Sequence, residues 1–323
     1  MEHTEQKEQI TVGKFSDYWL NAVMKISIRQ TTYTAYKGFI ENHIKNHFDS
    51  FPLSKLSAID IQQFVSELTK RLSPKSVHLI MAVLKNIISY ALEFGFIHQN
   101  PCNKIRMPKI IEKETKAFSR AEQQAIENTI GRSSDRRSLG VLICLYTGIR
   151  LGELCALKWE DVDFKTKCLK IKASLKRVYL YNDDIKEATP KTVCIEEEPK
   201  TKKSRRTIPL PEFLCDTLKT LKKDSAGSYI VSMKNGNYVK PRTMQLIYSQ
   251  LLKQAKVPYS SFHTLRHTFA SRAIELLGDI KTVSDILGHT NSMITLNRYA
   301  HSLTEQKRKL MSSFNQFFNR KTK

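Results

Sequence analysis

With 323 residues, 41% of them hydrophobic, the chain is long enough for about two folded domains, and its composition excludes a disordered or fibrous class. Lys and Arg number 53 against 31 Asp and Glu, a formal net charge of +22. That excess argues against a basic partner and for a polyanion, with nucleic acid the first candidate.

The opening residues 1–10 are polar and mixed in charge, which reads as a flexible tail and not as a signal peptide. From 11 to 100 the apolar spacing is helical. FSDYWLNAV, TAYKGFIENHIKNHF, IQQFVSEL and VHLIMAVLKNIISYALEF each place large apolar residues three or four apart. Ser57 followed by Asp60 approximates a capping box, Ser73-Pro74 starts the last helix, and Gly95 then Pro101 close it. This predicts a bundle of about four helices, dotted with Lys25, Arg29, Lys37, Lys75 and Lys85. No apolar run here approaches the ~20 residues that would span a bilayer.

Residues 101–118 carry two prolines and many charges without a period, and are expected to be a linker. Ser119 and Glu122 form a second capping box, where a domain running from 119 to 323 begins. An apolar helix from Leu139 to Tyr146 ends at Gly148, and TGIRLGELCALKWEDVDF follows. CLKIKA, KRVYLY, TVCIEE and RRTIPL read as strands of a small antiparallel sheet, with 181–192 an exposed hairpin loop. Helices resume at 211–223 and again from about 241 to the end. The expected class is mainly α with a small antiparallel β-sheet.

Six cysteines, at 102, 144, 155, 168, 194 and 215, form no C-x-x-C pair and no zinc-finger spacing with a histidine, so no structural metal is expected. Cys144 and Cys155 sit in apolar runs and read as small core residues. Scattered thiols without a framework fit a reducing compartment, the cytoplasm of a bacterium.

The last third holds the chemistry: His263 and Arg266 in HTLRHT, then His289 and Tyr299 in LGHTNSMITLNRYAH. An arginine fork matches two phosphate oxygens, a histidine binds phosphate or moves a proton, and a tyrosine hydroxyl can be a nucleophile. Each has a plainer reading. Arg150 could pair with Glu153 or Glu160 at a core edge. His289 could cap a helix after Gly288, and Tyr299 could be half-buried. His267, about 100° round the helix from Arg266, reads as structural. If His263 and Arg266 open a helix, its N-terminus also favours a phosphate.

The order GIRLGE, H-x-x-R, LGH and a tyrosine ten residues later resembles the tyrosine recombinase (phage integrase) family from about residue 11 to the end. TGIRLGELCAL and PKTKKSRRTIPL look most like integrases of phages and conjugative transposons of Gram-positive bacteria. The resemblance implies an N-terminal helical core-binding domain and a C-terminal catalytic domain. It implies that Arg150 and Arg266 clamp the scissile phosphate and that Tyr299 attacks to form a 3′-phosphotyrosyl bond. His263 would assist proton transfer and His289 would bind a non-bridging oxygen. The family's leaving-group lysine falls in PKTKKSRR, which offers Lys200, Lys202 and Lys203. Lys200 is chosen from its place in the PKT motif, with Lys202 the alternative. Glu153 matches a supporting acidic position.

No metal, cofactor or ATP is then needed. The implied partner is double-stranded DNA carrying core recombination sites, bound as a clamp by the two domains. Two protomers would occupy inverted half-sites and four would form the synapse. The C-terminal tail, with Leu310, Met311, Phe314, Phe317 and Phe318 on roughly one helical face, would join the tetramer, the plainer reading being that it packs on its own domain. A directionality factor is a further expected partner, and no membrane is. The arm-binding domain of larger integrases is expected to be absent, which fits simple sites or a shortened chain. The rival readings are a type IB topoisomerase-like enzyme and a DNA-binding regulator without catalysis.

Overall fold

The computed structural model describes residues 10–111, 117–180, 192–198, 205–225, 227–277, 279–288 and 311–312. The chain divides into two units, Met1–Lys113 with Val178–Val193, and Glu114–Arg177 with Cys194–Lys323.

The first unit is helical among its described residues up to 111. Helix α1, Val12–Tyr18, is capped by Thr11 and continues through a wider π turn, Trp19–Met24. Helix α2, Gln30–Phe39, likewise runs through Ile40–Ile44 into Lys45–Phe48. Helix α3, Ala58–Arg71, starts at a full capping box: Asp60 N–H donates to Ser57 Oγ (3.3 Å) and Ser57 N–H to Asp60 Oδ2 (3.0 Å). Helix α4, Pro74–Glu93, takes Ser73 as its N-cap and proline at its first position. The predicted apolar faces turn inward. Phe15, Leu20, Ile40, Ile44, Phe64, Leu68, Ile80, Leu84 and Ile87 form one closed core. Full burial of such side chains contributes about 1.5–3 kcal/mol each.

Helix α4 corrects one expectation. Its 20 residues are long and apolar enough to cross a membrane by length and composition. Eight of them, Val77 to Ala91 at spacings of one to three, are buried against the other helices, so the apolarity serves this core. Residues expected to be a linker are tied to the same unit as far as Pro108. Gln62 and Arg106 exchange two hydrogen bonds (2.9 and 3.2 Å), and His78 bonds the Pro108 carbonyl at 3.0 Å.

The second unit opens at the predicted capping box, where Ser119 N–H donates to Glu122 Oε2 (2.7 Å) and helix α5, Arg120–Arg132, begins. Then come α6, Leu139–Thr147, and α7, Leu151–Ala156. Strands β1, Val162–Asp163, β2, Cys168–Ile171, and β5, Arg206–Pro209, form an antiparallel sheet in the order β1-β2-β5, with Leu169 opposite both Val162 and Ile208. Strands β3, Ser174–Tyr179, and β4, Thr192–Glu197, make a separate pair. Among the described residues the single small sheet expected is therefore two. The two-residue β1 was too short to show a period.

Helices α8, Glu212–Lys223, α9, Pro241–Gln254, α10, His263–Leu277, and α11, Ile280–Leu287, complete the described part. The main core gathers Ile143, Leu154, Leu169, Ile208, Leu214, Tyr248 and Leu265. A smaller cluster, Ala270, Ile274, Val283 and Leu287, joins α10 to α11. Cys144 and Cys155 lie fully inside, as their apolar neighbours predicted. Of the segment 181–192 expected as a hairpin loop, Thr192 instead begins β4, and 181–191, the lysine stretch 199–204 and all of the tail but Met311 and Ser312 lie outside the described residues.

Candidate active site

Helix α6 ends because Gly148 adopts the left-handed conformation (φ 64°) and its N–H closes on the Cys144 carbonyl at 2.9 Å. The chain then extends through Arg150, which stands at the N-cap of α7. Glu153, one turn in, accepts the Arg150 N–H (2.9 Å) on Oε2 and Arg150 Nη1 (2.8 Å) on Oε1. The plainer expectation for Arg150, an ion pair with Glu153, is thus present. It does not bury the arginine, whose side chain stays 39% exposed.

Glu153 is only 4% exposed and has a second cation. Arg206 of β5 donates Nη1 (3.1 Å) and Nη2 (2.8 Å) to its two oxygens, fork to fork. Burial alone would push the Glu153 carboxyl up. The hydrogen bonds and charge of Arg206, with Arg150 behind them, outweigh that and hold it below its ordinary range. Sequence reading placed Arg206 in a strand and assigned it no part in the site. The signal was available in the alternation: Arg206 lies two residues from buried Ile208, so it faces inward where an arginine needs a partner.

Helix α10 starts at His263, so the histidine occupies the helix N-terminus as its position relative to Arg266 suggested. His263 is exposed. Its ring meets that of buried His267 edge-on at 4.7 Å, one turn along. Arg266 is buried, and reaches across to other elements: Nη1 donates to the Gly148 carbonyl (2.8 Å) and Nη2 to the Leu287 carbonyl (2.7 Å). The far side of α10 is pinned by Phe118, whose N–H donates to Thr268 Oγ1 at 3.0 Å and whose carbonyl accepts from Arg272 Nη2 at 2.8 Å.

Helix α11 closes at Gly288, again left-handed (φ 65°). Its last carbonyls converge on arginines. Ile286 accepts from Arg206 Nε (2.5 Å), Leu287 from Arg266, and Gly288 from Arg150 Nη2 (3.4 Å). A helix end leaves such carbonyls without intrahelical partners, and cations are favoured there. The structure so brings together Arg150, Glu153 and Arg266, with His263 one turn before Arg266. His289, the next residue after Gly288, Tyr299 and Lys200 with its alternatives Lys202 and Lys203 lie outside the described residues. The residues flanking the lysine stretch, Glu198 and Arg205, form an ion pair.

Residues 116–306 match the model of the phage integrase family, and residues 11–69 that of the phage integrase N-terminal SAM-like domain. The chain is also 32% identical to a tyrosine recombinase XerC-like protein of Caldanaerobacter subterraneus subsp. tengcongensis, over 96% of this chain and 84% of that one. The chain belongs to the phage integrase family. This tyrosine recombinase is further similar to the integrase of Staphylococcus phage L54a, at 24% identity over 93% and 91% of the two chains. In fold it resembles the Tn1549 transposon integrase solved with transposon right end DNA, with a TM-score of 0.78 at 20% identity over 94% and 99% of the two chains. It also resembles lambda integrase solved as a tetramer on a Holliday junction (TM-score 0.68, 19% identity, 90% and 81%). The recombinase resemblance read from GIRLGE, H-x-x-R and LGH is borne out, as is its mainly helical class with a small antiparallel component.

Proposed function

We propose that this recombinase cuts and rejoins double-stranded DNA at a specific site through a covalent bond to Tyr299. The observation that carries the reading is the convergence of Arg150 and Arg266 on the C-terminal turn of α11, with His289 next in the chain. Two guanidinium groups held by a common frame suit one phosphodiester. Such preorganised cations stabilise the charge that builds on its non-bridging oxygens.

In this reading the Tyr299 hydroxyl attacks phosphorus, helped in losing its proton by His263. The bond from phosphorus to the 5′ oxygen breaks as the tyrosyl bond to the 3′ phosphate forms. Lys200, or Lys202 in its place, gives the leaving 5′-hydroxyl its proton, and His289 binds a non-bridging oxygen. The phosphoester energy is kept in the enzyme-linked strand, so a new 5′-hydroxyl can reverse the step without ATP or a metal.

Residues 11–100 act as the core-binding domain and 119–323 as the catalytic domain, and 101–118 lie along the phosphate backbone. A tetramer joined through the C-terminal tail carries out exchange, a directionality factor biases it, and the work is done in a bacterial cytoplasm. The tetrameric lambda integrase structure is similar in fold and supports the assembly.

A nicked suicide duplex carrying the element's end tests the chemistry. In EDTA and without ATP, wild type should give a slow covalent band on a denaturing gel and Tyr299→Phe none. A band with both moves the nucleophile to another residue. Binding by both without any band favours a non-catalytic regulator.

A further inference from the structure

Three consecutive carbonyls at the end of α11 each accept from a different arginine, and only two of those arginines belong to the site just proposed. The third is Arg206. It is 6% exposed, so it does not present its charge to solvent or to DNA. Its guanidinium instead works as a bracket. Nε holds the Ile286 carbonyl, and both Nη atoms hold Glu153, which in turn holds Arg150 by side chain and backbone.

We propose that Arg206 is a positioning residue for recombination. It fixes the C-terminal turn of α11 against Glu153, and thereby sets both the placement of His289 and the aim of Arg150. The inference rests on the reading of Arg150 and His289 as site residues. Only a planar fork with donors on two edges can span a carboxylate and a helix-end carbonyl together. A lysine carries its three donors on one nitrogen and lacks the fixed fork that spans both. With the bracket opened, Arg150 keeps Glu153 as a partner, but the pair is left with only the long Arg150–Gly288 contact (3.4 Å) to the end of α11. Displacement of about 1 Å at a reacting group is enough to cost up to ~100-fold in rate.

Arg206→Lys keeps the charge and is the deciding variant. Three quantities are measured: the single-turnover rate of covalent complex formation on the suicide duplex, the Kd for the same duplex, and the thermal midpoint. The expected result is covalent complex formation slowed about 10- to 100-fold with Kd within about twofold of wild type. Combined with His289→Ala, Arg206→Lys should slow the reaction further by much less than it does alone, because both changes disturb the same group. A wild-type rate for Arg206→Lys overturns the proposal. So does full multiplication of the two effects, or a fall in rate, affinity and midpoint in parallel, which marks a purely structural bracket. If His289→Ala alone reacts at wild-type speed, the role given to His289 fails. The same cycle run with Arg150→Lys then decides whether Arg206 acts through Arg150. If Tyr299→Phe still forms the band, the nucleophile assignment fails and the Arg206 cycle stands unaffected.

Discussion

Arg266 donates to the Gly148 carbonyl at 2.8 Å, although the two residues are 118 positions apart. The same guanidinium reaches Leu287, so one buried side chain joins the ends of two helices, α6 and α11. Those ends also touch directly. A Cβ added at Gly148 would fall 2.5 Å from Phe269 Cδ1 and 2.7 Å from Leu287 Cδ2.

Gly148→Ala should therefore be destabilising on two counts. Its φ of 64° is strained for alanine, and there is no room for the methyl group. The expected loss is about 1–3 kcal/mol, read as a lower midpoint in urea or on heating. Covalent complex formation should fall as well, because the carbonyl that Arg266 holds must move. Unchanged stability would show that the two helix ends do not meet as described.

Glu153 ties stability to pH. Its carboxyl is held below the ordinary value of 4.5, so the stabilisation is present above that value and is lost as pH falls through the lowered one. Glu153→Gln removes the charge and leaves Arg206 buried without its anion. The gap in thermal midpoint between wild type and Glu153→Gln should be widest near pH 7 and shrink below about pH 4. A gap that is flat with pH would place the carboxylate elsewhere than against Arg206.

The cysteines report on the packing within each unit. Burial pushes the Cys155 thiol up to about 12 and the Cys102 thiol to about 11, and raises Cys144 well above its usual value. Thiolate is the reactive form, so these three should resist alkylation at about pH 8 in the folded protein. Cys168 and Cys194 are half-buried and should react first, as mass spectrometry of the peptides would reveal. Early labelling of Cys155 would mean that α7, and Glu153 with it, is not packed as described.

The short-range signals in the sequence carried far. Ser57 with Asp60, Ser73 with Pro74, and Ser119 with Glu122 each begin a helix where they were expected to, because a cap is satisfied within three residues. Gly148 and Gly288 end helices for an equally local reason. The strands from Cys168 onward were expected from alternation, with β3 lying nearer the N-terminus than expected and β2 and β5 shorter. Which strands share a sheet was not, since pairing depends on where each edge finds a partner.

By itself the sequence determined the helical first unit, the caps, the strands, and the ordered motif that places the chain among the tyrosine recombinases. Only the tertiary structure decided what the buried charges do. Arg206 meets Glu153 across 53 residues and Ile286 across 80, and no spacing rule connects them. A buried arginine must find an anion or a carbonyl, yet which one it finds depends on how β5 packs against α11.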